Sequence, residues 1–289
     1  MLYGALEAGG TKMVLAVSDE RLNMLDRLTL PTKTPSETMP AMIDFFRERR
    51  VDALGVGTFG PVNLHADSPD YGTITATPKL AWRGYPLLRA FREALHIPCA
   101  IDTDVNAAAL GEVTLGAGRG VKNCVYVTVG TGIGGGVYSE GSLVHGLLHP
   151  EVGHFYVSPH PDDPMPQGMC PYHGACLEGM ASGPAIEKRW GVTARELPAD
   201  HTAWRLEAYY LAQMCQTLLT IVSPEKIILG GGVMGQKQLF PMVRAETKRL
   251  LNGYLAGLED FDALIVPPDC YPDSGLMGAL LLAQGAAGQ

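Results

Sequence analysis

LYGALEAGGTKMVLAV, residues 2–17, and VYVTVGTGIGGGVY, residues 125–138, decide how this chain is read. Each is an apolar run, a turn of glycine and threonine, and a second apolar run. A short apolar run bounded by turn residues is the mark of a buried strand. One copy of strand, Gly/Thr turn, strand in each half of the chain predicts an internal duplication.

Reading outward from the first copy, Leu2–Leu6, Met13–Ser18 and Leu22–Leu30 are strand candidates that open as a meander. Ser36–Arg50 carries Met39, Met42, Ile43, Phe45 and Phe46 at helical spacing. Val51–Val56 is a strand running into Gly57-Thr-Phe-Gly-Pro61, and residues 63–82 are turn-rich. Pro86–His96 starts with proline, as helices often do. Pro98–Ile101 is a strand ending in Asp102-Thr-Asp-Val-Asn106, and Ala107–Leu115 is rich in strong helix formers. From the second copy, Asn123–Val129 is a strand, Gly130–Gly136 a turn and Val137–Tyr138 a strand. Leu206–Val222, Gln238–Leu255 and Ser274–Ala287 are expected helices, with strands at Lys226–Leu229 and Ala263–Val266. Strands alternating with helices predict mostly parallel sheets covered on both faces. Two such halves predict two α/β domains and a cleft.

At 289 residues and 46% hydrophobic content the chain can bury substantial cores. Its net charge of -8 argues against nucleic acid or an anionic membrane as main partner. The longest apolar runs, such as Leu276–Ala283, are too short to span a bilayer. MLYGALEAGG, at the start, has no basic region and no leader-cleavage pattern. A cytoplasmic chain with reduced thiols is the expectation.

His154, Cys170, His173 and Cys176 fall in one proline-rich stretch, HFYVSPHPDDPMPQGMCPYHGACLE, residues 154–178. Cys-x2-His-x2-Cys is too tight for separate strands or helices and suits a loop closing on one ion. The upstream histidine completes a tetrahedral set for Zn²⁺, which takes N and S ligands and needs four in a structural site. Disulfides are the alternative for 6 cysteines, but a reducing compartment favours the metal. Cys99, Cys124 and Cys215 sit in apolar runs and read as small buried hydrophobes. Little apolar periodicity spans the stretch, so a metal is expected to supply the order that packing does not. Glu151 and Glu178 flank the loop. Fixing the ion fixes both, and two carboxylates with a histidine ring suit a polyol.

Three glycine turns follow strands: Gly9-Gly10-Thr11, Gly130–Gly136 and Gly230–Gly232. Backbone N–H groups without a Cβ beside them can converge on an anion. A plain tight turn is the alternative at each one. No Gly-x4-Gly-Lys-Ser/Thr is present, and Gly130-x-Gly-x-x-Gly135 is followed by a strand rather than a helix, so neither P-loop nor Rossmann reading holds. Asp102 and Asp104 lie between a strand and a helix, where a carboxylate faces the ligand side of an α/β sheet. One of them could take a proton from an alcohol or hold Mg²⁺; helix capping is the competing role. Glu7, beside the first turn, is a candidate to steer a metal or its water, or else a solvated strand end.

Taken together, Glu7-Ala-Gly-Gly-Thr-Lys12, Asp102-Thr-Asp-Val-Asn106, Gly130-Thr-Gly-Ile-Gly-Gly-Gly136, Glu151-Val-Gly-His154 and Cys170…Cys176-Leu-Glu178 resemble the ROK family of sugar kinases and sugar-responsive repressors. The resemblance runs the length of the chain. With Gly57-Thr-Phe-Gly-Pro61, Thr77-Pro-Lys79 and the His/Cys/His/Cys set, it is closest to the bacterial fructokinase branch. It implies an actin-like, hexokinase-type duplicated α/β fold. One domain would be residues 1–115 with a returning helix at 274–289. The other would be residues 116–273 with the zinc loop. ATP and a hexose would lie in the cleft. It implies Asp104 as catalytic base, with Thr103, Glu151, His154 and Glu178 on the sugar. Gly9, Gly10, Thr11, Lys12, Gly130, Thr131 and Gly132 would hold phosphates, and Gly231 and Gly232 would lie near base and ribose. Zn²⁺ is implied as a structural ion, Mg²⁺ as the companion of ATP with Glu7 on its side, and a homodimer as the assembly.

Glucokinase-like members have Asn where Thr103 stands, which turns the expectation from glucose toward the 6-hydroxyl of fructose. Glucose, mannose or an N-acetylhexosamine are the competing substrates. A sugar sensor without catalysis is the competing class.

Overall fold

The computed structural model describes residues 1–288, which divide into two compact units. The first comprises Met1–Gly116, Leu143–His149 and the residues from Cys270 onward; the second comprises Ala117–Ser142 and Pro150–Asp269.

In the first unit β1 (Tyr3–Ala8), β2 (Lys12–Ser18) and β3 (Met24–Pro31) form the expected antiparallel meander. After α1 (Pro35–Glu48), β4 (Ala53–Thr58) pairs parallel with β1. After α2 (Leu87–Leu95), β5 (Cys99–Thr103) pairs parallel with β4, and α3 (Asp104–Leu115) follows at once. The sheet order is β3-β2-β1-β4-β5.

Alternation along the strands builds two cores. Leu6 and Ala8 of β1 and Met13 and Leu15 of β2 pack with Met42 and Phe46 of α1 and Leu87 and Phe91 of α2. Each of these fully buried large side chains is worth ~1.5–3 kcal/mol. The opposite face, Tyr3, Ala5, Val14 and Ala16, is covered by α9 (Ser274–Ala287), near the C-terminus, through Leu276, Ala279 and Leu280. That helix comes within backbone contact. A Cβ on Gly55 of β4 would overlap the carbonyl of Ala279, and one on Gly278 would overlap that of Ala107 in α3.

In the second unit β6 (Cys124–Val129) and β7 (Ile133–Ser139) form an antiparallel hairpin, and β8 (Ser142–Leu143) follows. The Gly130–Gly136 turn expected from sequence is only Gly130–Gly132. Gly134, Gly135 and Gly136 are strand residues paired with Thr128, Val127 and Tyr126. Gly135 is crossed by another segment. A Cβ on Gly135 would lie 2.8 Å from the Cβ of Val152, and one on Gly153 would overlap the carbonyl of Ile133. The single turn Val152–His154 is thereby laid on the sheet.

Two helices that the sequence reading did not mark follow the Cys/His loop: α4 (Leu177–Ala181) and α5 (Gly183–Trp190). Then come α6 (Ala203–Ile221), β9 (Lys226–Gly230), α7 (Leu239–Leu251), α8 (Phe261–Leu264) and β10 (Ile265–Val266). Ala263–Val266 is therefore half helix, because Asp260 accepts the Ala263 N–H at 2.9 Å and caps a turn there. The expected helix to Leu255 stops at Leu251, where Asn252 turns left-handed at φ 48°. The chain ends in α9 (Ser274–Ala287). The second sheet has the order β10-β9-β6-β7-β8, with β9 parallel to β6 and β10 parallel to β9. Each sheet thus has a hairpin extended by two parallel strands on the side of its first strand, as the duplication predicts. Among the described residues no helix is long and apolar enough to cross a membrane.

Candidate functional site

In both sheets the candidate residues gather where the parallel strands end, the edge at which ligands meet α/β sheets. Glu7, Gly57 and Asp102 stand at one level across β1, β4 and β5. Just beyond it β1 turns into β2, where the Gly9 N–H donates to the Lys12 carbonyl at 3.0 Å. Thr32 steadies the turn through its hydroxyl, which donates to the Gly9 carbonyl at 2.7 Å, and its N–H, which donates to the Thr11 carbonyl at 3.0 Å. Thr11 and Lys12 are exposed. Glu7 lies on the α9 face of β1, below Tyr3 and Ala5. There its carboxyl abuts Gly275, and burial pushes its pKa up. It is therefore no solvated strand end.

The β5–α3 junction separates the two aspartates. Thr103, not an aspartate, caps α3: its hydroxyl oxygen accepts the Asn106 N–H at 3.0 Å. Asp102 is buried, and its Oδ1 accepts the Thr103 N–H and the Asn106 side-chain amide, both at 2.7 Å. Those two bonds grip the chain on either side of Asp104. Asp104 is the first residue of the helix and only partly buried, with Oδ1 accepting the Val105 N–H at 2.9 Å. Helix N-termini favour negative charge, which suits a carboxylate at this position.

The sequence reading missed His145. Its Nε2 donates to Asp102 Oδ2 at 2.8 Å, and that hydrogen bond raises its pKa. His149, also missed, is buried and accepts the Val62 N–H at 3.3 Å. The one signal in the sequence was two histidines in His145-Gly-Leu-Leu-His149, a segment matching neither strand nor helix period.

In the second unit the β6–β7 turn closes with the Gly130 N–H donating to the Gly132 carbonyl at 2.9 Å. Thr131 at its tip is exposed. The Gly183 N–H, first in α5, donates to the Gly130 carbonyl at 2.8 Å. Gly231 adopts φ +88° with its α-carbon tight against the Val129 backbone, and the Gly232 nitrogen is 3.9 Å from where a Gly130 Cβ would stand. The second and third glycine turns are therefore one surface. Glu178 joins it: Oε2 accepts the Ile133 N–H at 2.9 Å.

The donor atoms of His154, Cys170, His173 and Cys176 all lie within 4.8 Å of one another. Tetrahedral Zn²⁺ would set its ligands roughly 3.3–3.8 Å apart. Cys176 Sγ is 3.7 Å from His154 Nδ1, and Cys170 Sγ is 3.8 Å from His173 Nδ1. Burial pushes the Cys176 thiol up to about 11, so a cation is what would hold two thiolates there. The donor set fits the ion. His154 can serve two partners, since its Nε2 is 4.0 Å from Glu151 Oε2 while its Nδ1 faces Cys176.

The proline-rich loop does have protein packing of its own, contrary to the sequence reading. Buried Asp163 accepts from Arg189 Nε at 2.8 Å, the Met165 N–H at 2.7 Å and the Tyr210 hydroxyl at 2.5 Å. Burial works against its charge, yet these bonds outweigh it and hold the carboxyl below its ordinary value. Cys99, Cys124 and Cys215 are buried as expected, and burial pushes Cys99 and Cys215 up to about 11 and about 12.

Duplicated α/β units with glycine turns at the strand ends, a carboxylate at a helix start and a four-donor loop define the class of hexokinase-type α/β kinases. Within it, the ROK family model matches residues 3–286, and the chain belongs to the ROK family. A Bacillus subtilis (strain 168) protein is 49% identical over 288 residues, covering 99% of this chain and 96% of that one. The fructokinase of Pediococcus pentosaceus is 45% identical over 286 residues, covering 99% of both. The solved ROK family glucokinase from Streptomyces griseus, in complex with glucose and AMPPNP, superposes with TM-score 0.80 at 25% identity, over 99% of this chain and 100% of that one.

Proposed function

We propose that this protein is an ATP-dependent fructokinase, transferring the γ-phosphate of ATP to the 6-hydroxyl of fructose. The observation that carries the reading is the seat of Asp104: a partly exposed carboxylate at the strand–helix junction, outside the helix cap and gripped on both sides by Asp102. The resemblance to the Pediococcus pentosaceus fructokinase supports fructose as the sugar.

Little covalent work falls to a phosphoryl-transfer enzyme; position and charge carry the rate. Asp104 accepts the proton as the hydroxyl oxygen bonds to phosphorus. Thr103, Glu151, His154 and Glu178 orient the sugar through its other hydroxyls. The Gly9–Thr11 turn with Lys12 and the Gly130–Gly132 turn present N–H groups to the phosphates, and Gly231 and Gly232 bound the nucleoside. Mg²⁺ accompanying ATP would supply charge neutralisation, with Glu7 on its side. His154, Cys170, His173 and Cys176 would hold a structural Zn²⁺ that keeps the thiolates charged and the loop ordered.

A homodimer in the cytoplasm is the expected setting. The 6 free cysteines suit a reducing compartment. Coupled measurement of ADP release across fructose, glucose, mannose and N-acetylhexosamines at fixed ATP tests the proposal. Fructose should turn over best. Release with no sugar of the panel would reject catalysis and leave the sensor reading.

A further inference from the structure

Lys79 is left over by the roles assigned so far, yet the fold builds a seat for it. Thr77 is buried, and its hydroxyl oxygen accepts the Lys79 N–H at 3.2 Å. Lys79 starts the single turn Leu80–Trp82, its carbonyl accepting the Trp82 N–H at 2.8 Å. Trp82 is the anchor. It is 1% exposed, its indole N–H donates to the Lys33 carbonyl at 2.6 Å, and the rings of Phe59 and Tyr85 meet it edge-on at 5.9 and 5.4 Å. Arg83 ties the preceding residues by donating to the Thr77 carbonyl at 3.1 Å.

From this seat the side chain runs to the first glycine turn. Its Cε lies 3.6 Å from where a Cβ on Gly10 would stand. The residue is half-buried, and among the described residues its ammonium has neither an ion-pair partner nor a hydrogen-bond acceptor. Ordering a lysine side chain costs up to ~2 kcal/mol of rotamer entropy. Its methylene stem is laid along a glycine turn whose N–H groups suit an anion, and an anion there is what would give the ammonium a partner.

We propose that Lys79 is a catalytic residue whose ammonium binds the γ-phosphoryl oxygens of ATP at the Gly9–Thr11 turn; this rests on the phosphoryl-transfer reading above. In the step, the sugar 6-oxygen forms a bond to the γ-phosphorus. The bond from that phosphorus to the β–γ bridging oxygen breaks, and its electron pair leaves with ADP. The hydroxyl proton goes to Asp104. The γ-oxygens keep their charge throughout, and a compact ammonium with three donors can follow them as the phosphorus moves.

The test uses Lys79→Met and Lys79→Arg in the full chain. The readouts are ADP release and the binding of ADP and of a non-hydrolysable ATP analogue. Lys79→Met should lower kcat by ~10²–10³-fold, the scale of losing one charged donor to a transition state, with the fructose KM little changed. It should also lose the wild-type preference for the analogue over ADP, and Lys79→Arg should recover part of both. Three results would overturn the proposal: a raised fructose KM with kcat retained, which places the ammonium on the sugar; an unchanged analogue preference; or Lys79→Arg as damaged as Lys79→Met. If the wild type phosphorylates no hexose, the kinase reading fails on its own. The analogue-against-ADP comparison then still decides whether Lys79 reads the terminal phosphate. Tryptophan fluorescence matching the wild type shows that the variants fold.

Discussion

The imidazole of His145 and the carboxylate of Asp102 meet at 2.8 Å, joining residues 43 positions apart in the sequence. Asp102 is almost fully buried, while His145 keeps 39% of its side chain exposed. The pair fixes the far oxygen of a carboxylate whose near oxygen grips the chain on both sides of Asp104.

The Asp102 hydrogen bond raises the pKa of His145 above 6.5 in the folded state. Its stabilising contribution is therefore fully present below 6.5 and lost as pH rises through the raised folded value. The melting temperature should fall across that window above 6.5. In His145→Gln, which keeps a donor but not the charge, that component of the slope should vanish. Parallel slopes in the two proteins would deny the ion pair any energetic role.

Removing the proposed base should spare binding. Asp104→Asn is expected to cut turnover by ~10²–10⁴-fold while fructose affinity by calorimetry stays near the wild-type value. Near-normal turnover would take Asp104 out of the reaction.

The purified protein should carry one zinc per chain by elemental analysis. Cys176→Ser should abolish it, and chelation should lower the melting temperature. A chain that lacks zinc when grown with it, and melts identically with and without chelator, would leave the four donors as a coincidence of packing.

Arg189 and Asp163 form an ion pair with side chains only 2% and 0% exposed. Arg189→Met strands the carboxylate, and denaturant unfolding should show a loss of ~3–5 kcal/mol, as for other broken buried pairs. A loss below about 1 kcal/mol, the range of surface pairs, would mean that water enters the site.

Glu207 on α6 is 2% exposed, and among the described residues neither carboxylate oxygen has a hydrogen-bond partner. Burial raises its pKa well above 4.5, so its best contribution lies below that value and declines as pH rises toward the folded pKa. Glu207→Met, close in volume and without polar oxygens, should stabilise the protein at pH 8 by ~1–3 kcal/mol, with a smaller gain near pH 5. A variant less stable at both pH values would show that the carboxyl has an unseen partner.

The duplicated plan was legible because Leu2–Val17 and Val125–Tyr138 write the same local pattern twice, and a hairpin is settled by neighbours in the chain. The clustering of the four candidate metal donors was legible for a related reason: three of them fall within seven residues, Cys170 to Cys176. Gly134–Gly136 read as turn because glycine permits one. Only the pairing with β6 shows that they are strand residues, and only the approach of Val152 shows that Gly135 is kept small for packing. The same limit hid His145 behind Asp102, Arg189 behind Asp163 and Lys79 beside Gly10. Strand period, turn chemistry and tight ligand spacing act over a few residues and are determined by the sequence itself. Which buried carboxylate gains which cation depends on distant segments brought together, and only the tertiary structure decides that.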